Sequence, residues 1–97
     1  MLRVGGEWVS PAEVEGVLIE HAGVLEAAIV GLPDDQNVTR PVAFVVAVDG
    51  ATPSVDDLTE HCRSRLAGYK RPKVYRMVDG LPKTATGKIQ RFKLRAP

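Results

Sequence analysis

Ala27-Ala-Ile-Val-Gly-Leu32, answered across the loop Pro33 to Pro41 by Val42-Ala-Phe-Val-Val-Ala-Val48, decides the architecture. Both runs are apolar and of strand length, and the short polar connection suits an antiparallel pair. Outward from them the pattern turns helical. Upstream, Val14, Val17 and Leu18 recur at helical spacing over about Ala12 to His21, so they are expected to face the core. Ser10 stands as N-cap, Pro11 suits the first helical position and Glu13 stands where a capping box closes. Glu13 and Glu15 are read as serving the helix start, where acidic charge suits the dipole. Val4-Gly-Gly-Glu-Trp-Val9 precedes this helix as a short extended piece with a glycine pair, and Trp8, the sole tryptophan, is expected to pack under the helix.

Downstream, Ser54 caps a second helix over about Val55 to Arg65, with Leu58, Cys62 and Leu66 on one face and a stop at Gly68. Val74-Tyr-Arg-Met-Val78 reads as a third strand and Ile89 to Leu94 as a short terminal helix. Strands and helices mixed over residues 1–97 with short links predict one α+β domain: a small, mainly antiparallel three-stranded sheet flanked by helices.

Composition bounds the rest. A chain of 97 residues, 44% hydrophobic and 26% charged, can bury roughly two thirds of its unfolded surface. No apolar run reaches the about 20 residues that cross a bilayer, and no signal-peptide pattern opens the sequence. One cysteine, Cys62, excludes an internal disulfide and fits a reducing compartment, the cytoplasm. Its place in a helical pattern makes it a structural thiol. His21 and His61 have no partners at metal-ligand spacing and are assigned no metal.

The net charge of +1 hides an asymmetry. Residues 1–62 carry two basic side chains, Arg3 and Arg40, against eleven acidic; residues 63–97 carry eleven basic against one acidic, Asp79. Either the halves pair in the fold, or the basic third faces a polyanion and gathers phosphate whatever the total.

Within that basic third, Leu81-Pro-Lys-Thr-Ala-Thr-Gly-Lys-Ile-Gln-Arg-Phe-Lys-Leu-Arg95 puts Gly87-Lys88 on a turn. Pro82 restricts the backbone, Gly87 permits a conformation other residues resist, and Thr84 and Thr86 supply short hydroxyls. Such a loop holds one ammonium where a phosphate or carboxylate can reach it. The order Gly, four residues, Gly-Lys-Ser/Thr is absent, so this is not a P-loop.

Pro82-Lys-Thr-Ala-Thr-Gly-Lys-Ile89 resembles the last signature motif of the adenylate-forming superfamily of acyl-CoA synthetases, peptide-synthetase adenylation domains and luciferases. Val4-Gly-Gly-Glu-Trp-Val-Ser-Pro-Ala-Glu-Val-Glu15 resembles that family's segment after the interdomain hinge, and Tyr69-Lys-Arg-Pro-Lys73 its segment before the third strand. The three agree in order and spacing over nearly the whole chain. Trp8 to Pro11, Val38 to Pro41 and the ending Thr84 to Arg95 look most like benzoate and hydroxybenzoate CoA ligases. The sequence departs from the family with Val38 where many relatives have glycine, Asn37 near a position that some fill with an aromatic, and Arg3 for a frequent lysine.

The resemblance implies the small C-terminal lid of a two-step, AMP-forming ligase for a small carboxylic acid. The hinge aspartate would immediately precede Met1, and the acyl pocket would lie in a large N-terminal adenylation domain, the lid's partner. That domain would also hold most of the ATP and its Mg. The family rotates the lid between its steps, so that opposite faces meet one active site. Lys88 is thereby implied as the adenylation lysine. Gly5 and Gly6 are implied at the pantetheine tunnel of coenzyme A, which Trp8 would line if it does not pack under the helix, with Lys70, Arg71 and Lys73 near its nucleotide phosphates. The alternative is a stand-alone basic module that binds nucleic acid or an acidic protein through Lys70 to Lys73 and Arg91 to Arg95. Against it, the tail interleaves few aromatics, only Tyr69, Tyr75 and Phe92, and carries no nucleic-acid motif. No membrane partner is expected.

Overall fold

Ser10 Oγ accepts the backbone N–H of Glu13 at 3.3 Å and Pro11 follows as the first helical residue. These features start helix α1 (Pro11–Ile19) in the computed structural model, which describes residues 1–4 and 6–95. Before it stand β1 (Leu2–Val4) and β2 (Glu7–Val9), a two-stranded antiparallel hairpin with Val4 opposite Glu7. After it come β3 (Val24–Pro33), β4 (Thr39–Ala47), α2 (Val55–Arg63), a 3-10 turn at Gly68–Lys70, β5 (Val74–Met77) and α3 (Arg91–Arg95). Ser54 closes a full capping box with Asp57 at the start of α2.

The main sheet has the order β3-β4-β5. β3 and β4 are antiparallel, with Ile29 opposite Ala43, as the two apolar runs predicted. β5 joins β4 in parallel, Val42 opposite Val74, so the sheet is mixed. A parallel neighbour requires a crossover, and α2 with the 3-10 turn supplies it.

The runs are apolar at nearly every position because both faces of the sheet are covered. Ala27, Ile29, Ala43 and Val45 pack on one face with Val14 and Leu18 of α1, Leu58 and Cys62 of α2, Leu66, and Val4 and Val9 of the hairpin. Ala28, Val30, Val42, Phe44 and Val46 pack on the other with Leu81, Val78, Ile89 and Leu94. Each fully buried Val, Leu or Ile among them contributes about 1.5–3 kcal/mol. The C-terminal segment is therefore the second layer of the core.

Helix α2 ends at Arg63 with Ser64 as its C-cap, and Gly68 opens the 3-10 turn instead of stopping the helix. Three further expectations are corrected. α3 begins at Arg91, not Ile89, because Ile89 forms an antiparallel bridge with Lys83. Trp8 lies outside the core, 56% exposed, with the Arg3 guanidinium 5.5 Å from its ring centre. Strand alternation explains this, since Val9 points inward and Trp8 must point out. Glu15 does not serve the helix start: it is buried, accepts the backbone N–H of Ile29 at 2.8 Å and pairs with Arg91. No helix among the described residues is long and apolar enough to cross a membrane.

Candidate functional site

Lys88 stands on a three-residue hairpin. The N–H of Thr84 donates to the Lys88 carbonyl at 2.8 Å, Gly87 N–H donates to the Thr84 carbonyl at 2.9 Å, and Lys83 bridges Ile89 below. Gly87 has φ +88°, the left-handed conformation that closes such a loop and that a Cβ resists. Thr84 Oγ1 accepts the Lys88 N–H at 3.1 Å and lies 3.0 Å from Thr86 Oγ1. Backbone and hydroxyls thus fix the Lys88 Cα, while its exposed ammonium enters no ion pair or hydrogen bond among the described residues.

Both legs of this hairpin are tied down. Lys83 pairs with Glu26 of β3. Arg91 donates Nη2 to Glu15 Oε1 at 2.5 Å and to Oε2 at 2.7 Å, with Nε 3.1 Å from Oε2. Glu15 thereby joins α1, the edge of β3 and the start of α3. Its position on the buried side of α1 was the available signal, since a carboxylate on an apolar face needs a partner.

Gly6 belongs to the other sheet face. It lies in the turn of the β1–β2 hairpin with φ +87°, and nothing approaches within 4 Å of where a Cβ would stand. Conformation, not space, requires glycine here. Gly5, its companion at the expected pantetheine tunnel, lies outside the described residues. β2 runs beside the 3-10 turn, which brings Gly6 and Lys70 to one side of the molecule. That hairpin packs into the core layer of Val14 and Leu58, whereas the Lys88 hairpin belongs to the layer of Phe44 and Leu81.

The three cations expected near coenzyme A have different surroundings. Lys70 Nζ lies 3.0 and 3.1 Å from the two oxygens of Glu13, which raises its pKa above the ordinary lysine value. Glu13 therefore holds Lys70, and Ser54, not Ser10, has the complete capping box. Arg71 donates Nε to the Leu66 carbonyl at 2.9 Å and Nη2 to that of Arg63 at 2.8 Å, terminating α2. Lys73 is exposed, its backbone N–H held by the Pro41 carbonyl at 2.9 Å. Arg71 and Lys73 line an open cleft of about 290 Å³ with Arg63, Thr59, Pro72 and Tyr75, a cationic hollow suited to phosphate. Arg63, which the helical pattern of α2 does not single out, also lines it, with Nη1 3.6 Å from Glu60 Oε2. Tyr69 is half exposed with Lys70 Nζ 5.8 Å from its ring centre.

The pairing reading of the charge asymmetry accounts for most of the acidic-to-basic contacts. Five ion pairs among the described residues join a carboxylate of residues 1–62 to a cation beyond them, and only Arg40–Asp34 is local to the first part. Arg71, Lys73 and Lys88 enter none of these pairs. His61 Nε2 lies 2.6 Å from the Val17 carbonyl and His21 Nδ1 accepts the Gly23 N–H, so both rings serve the fold.

Comparison with known proteins places this geometry. The benzoate–CoA ligase of Thauera aromatica is 52% identical over 99 residues, covering 99% of this chain and 19% of that enzyme. A 2-succinylbenzoate–CoA ligase of Listeria monocytogenes is 50% identical over 91 residues, covering 94% and 19%. The crystal structure of an anthranilate–CoA ligase with anthranoyl-AMP superimposes with a TM-score of 0.91 at 50% identity, over 97% of this chain and 19% of that one. The chain thus spans about a fifth of the length of these relatives. The AMP-binding enzyme C-terminal domain, as a family, matches residues 13–88, and with relatives of this identity along nearly its whole length the chain belongs to that family.

Proposed function

We propose that residues 1–97 are the mobile C-terminal lid of an ATP-dependent, AMP-forming carboxylate–CoA ligase whose acid is aromatic and benzoate-like. In the first step the carboxylate attacks the α-phosphorus of ATP, forming an acyl-adenylate and releasing pyrophosphate. In the second, the thiol of coenzyme A attacks the acyl carbon and AMP leaves. Lys88 acts in the first step, its ammonium bridging two anions that repel, the attacking carboxylate and the α-phosphate. A charge placed beforehand needs little reorganisation as the transition state forms.

The observation that carries this reading is an ordered hairpin whose lysine ammonium enters no ion pair or hydrogen bond among the described residues. Gly6, in the turn borne on the other face of the sheet, serves the second step together with Gly5 after the lid rotates against the large N-terminal domain. The cleft of Arg71 and Lys73, with Lys70 on the hairpin side, receives the phosphates of the coenzyme A nucleotide. The aromatic acids of the relatives, benzoate, 2-succinylbenzoate and anthranilate, support the acyl class.

The test separates the half-reactions in the full-length protein. Lys88→Ala should lower pyrophosphate release from benzoate and ATP on the order of 100- to 1000-fold, the scale for one preorganised donor. Thioester formation from supplied benzoyl-adenylate should be largely spared. Equal loss in both steps would make Lys88 a structural residue and overturn the assignment.

A further inference from the structure

The Lys88 hairpin lies on the sheet through Leu81, Ile89 and Leu94, and apolar contact of this kind is non-directional. A loop held by it alone could slide over Phe44 and Val46. Two charged tethers oppose the slide, one on each leg. Arg91, three residues beyond Lys88, grips Glu15 with two nitrogens, and Lys83, five residues before Lys88, meets Glu26. Glu15 is itself fixed, because its Oε2 accepts the Ile29 N–H from the edge of β3. The guanidinium–carboxylate fork is directional as well as strong.

We infer that Glu15, acting through Arg91, and Glu26, acting through Lys83, are positioning residues for adenylation: they set the hairpin against the sheet so that the Lys88 ammonium arrives at one place. The inference rests on the adenylation role of Lys88. A backbone N–H satisfied by Glu15 would be satisfied equally by a neutral amide, so the charge of Glu15 serves Arg91. Stability alone would be met as well by apolar side chains in place of the pair.

Glu15→Gln in the full-length protein keeps an acceptor for Ile29 and removes the charge. Adenylation, read as pyrophosphate release with benzoate and ATP, should fall on the order of 10- to 100-fold in kcat, as expected for an ångström-scale misplacement of a catalytic group. Thioester formation from benzoyl-adenylate, in which Lys88 is not engaged, should change little. Arg91→Lys, which keeps a cation but loses the fork, should give a smaller loss of the same kind and stands in should Glu15→Gln fail to fold. Glu26→Lys should also slow adenylation, and adding Lys83→Glu should restore it. Full adenylation in Glu15→Gln and Arg91→Lys, or equal loss in both half-reactions, would overturn the inference. Lys88→Ala run beside them separates the two levels. If it spares adenylation, the reading of Lys88 itself fails; if it alone abolishes adenylation, only the tethers do.

Discussion

The ammonium of Lys70 sits between both carboxylate oxygens of Glu13, 57 positions earlier in the chain, at 3.0 and 3.1 Å. One of the three cations expected to meet coenzyme A thus has a partner already, and under the proposed function a phosphate would have to compete with it. Lys70→Ala in the full-length protein should raise the KM for coenzyme A about two- to fivefold, the scale of one exposed charge contact. Glu13→Gln should lower it, and both should leave pyrophosphate release unchanged. The raised pKa of Lys70 means that the pair is complete below the ordinary lysine value of 10.5 and lost only as pH climbs through the raised value. The KM effect should therefore be flat across neutral pH; a step near neutrality would assign it to another group.

Arg71 and Lys73 should part company on stability. Arg71→Ala leaves the Arg63 and Leu66 carbonyls without their donor and should cost about 1–3 kcal/mol, seen as a lower urea midpoint. Lys73→Ala removes an exposed side chain and should leave the midpoint unchanged.

Gly31 is glycine for lack of room. A Cβ there would collide with Leu2 Cδ1 and stand 2.9 Å from Thr39 Cγ2. Gly31→Ala should destabilise the chain by about 1–3 kcal/mol as the β1–β2 hairpin is pushed away. Adding Leu2→Ala should recover part of that loss in the same urea titration, because it removes the main obstacle.

Asp34 organises the β3–β4 loop. Its carboxylate accepts from the N–H of Val38 and Gln36 and from Arg40 Nε, and these bonds hold its pKa below the ordinary 3.8. The stabilisation is present above 3.8 and disappears as pH falls through the lowered value. In an acid titration by NMR, the Gln36 and Val38 amides should stay in place at pH 3.8 and shift only below it.

Cys62 and Tyr75 should make the fold sensitive to alkali. Burial pushes the Cys62 thiol above its ordinary 9.0 and the Tyr75 hydroxyl above 10.0. The unfolded chain ionises both groups first, so stability should fall as pH rises past 9.0. At neutral pH a thiol reagent should find Cys62 inert in the folded chain and reactive in urea. Rapid labelling of the folded chain would contradict its burial.

Element types were legible wherever one local rule governed them. Ser10-Pro11 and Ser54 start their helices as read, the two apolar runs pair as read, and Gly87 takes the positive φ that its place in the turn demanded. The errors fell where two local rules competed or where a partner lay far off. Glu15 satisfies both the rule for acidic residues near a helix start and the rule for a carboxylate on a buried face, and the second won once Arg91 was brought beside it. Trp8 is expected under the first helix, yet alternation with Val9 turns it outward. Ile89 fits a helix by composition but is drawn into the hairpin by its bridge to Lys83.

By itself the sequence determined the helices, the strand pair, the turn under Lys88 and, through three ordered motifs, the family. These follow from backbone preference and from the spacing of side chains within one or two turns of chain. Only the tertiary structure decided that β5 lies parallel to β4, that Glu13 engages Lys70, and that Glu15 holds Arg91 from 76 positions away. The physical reason is that an ion pair or a sheet neighbour depends on distance in space, and no periodicity along the chain encodes which of eleven carboxylates in residues 1–62 will meet which of the eleven cations that follow.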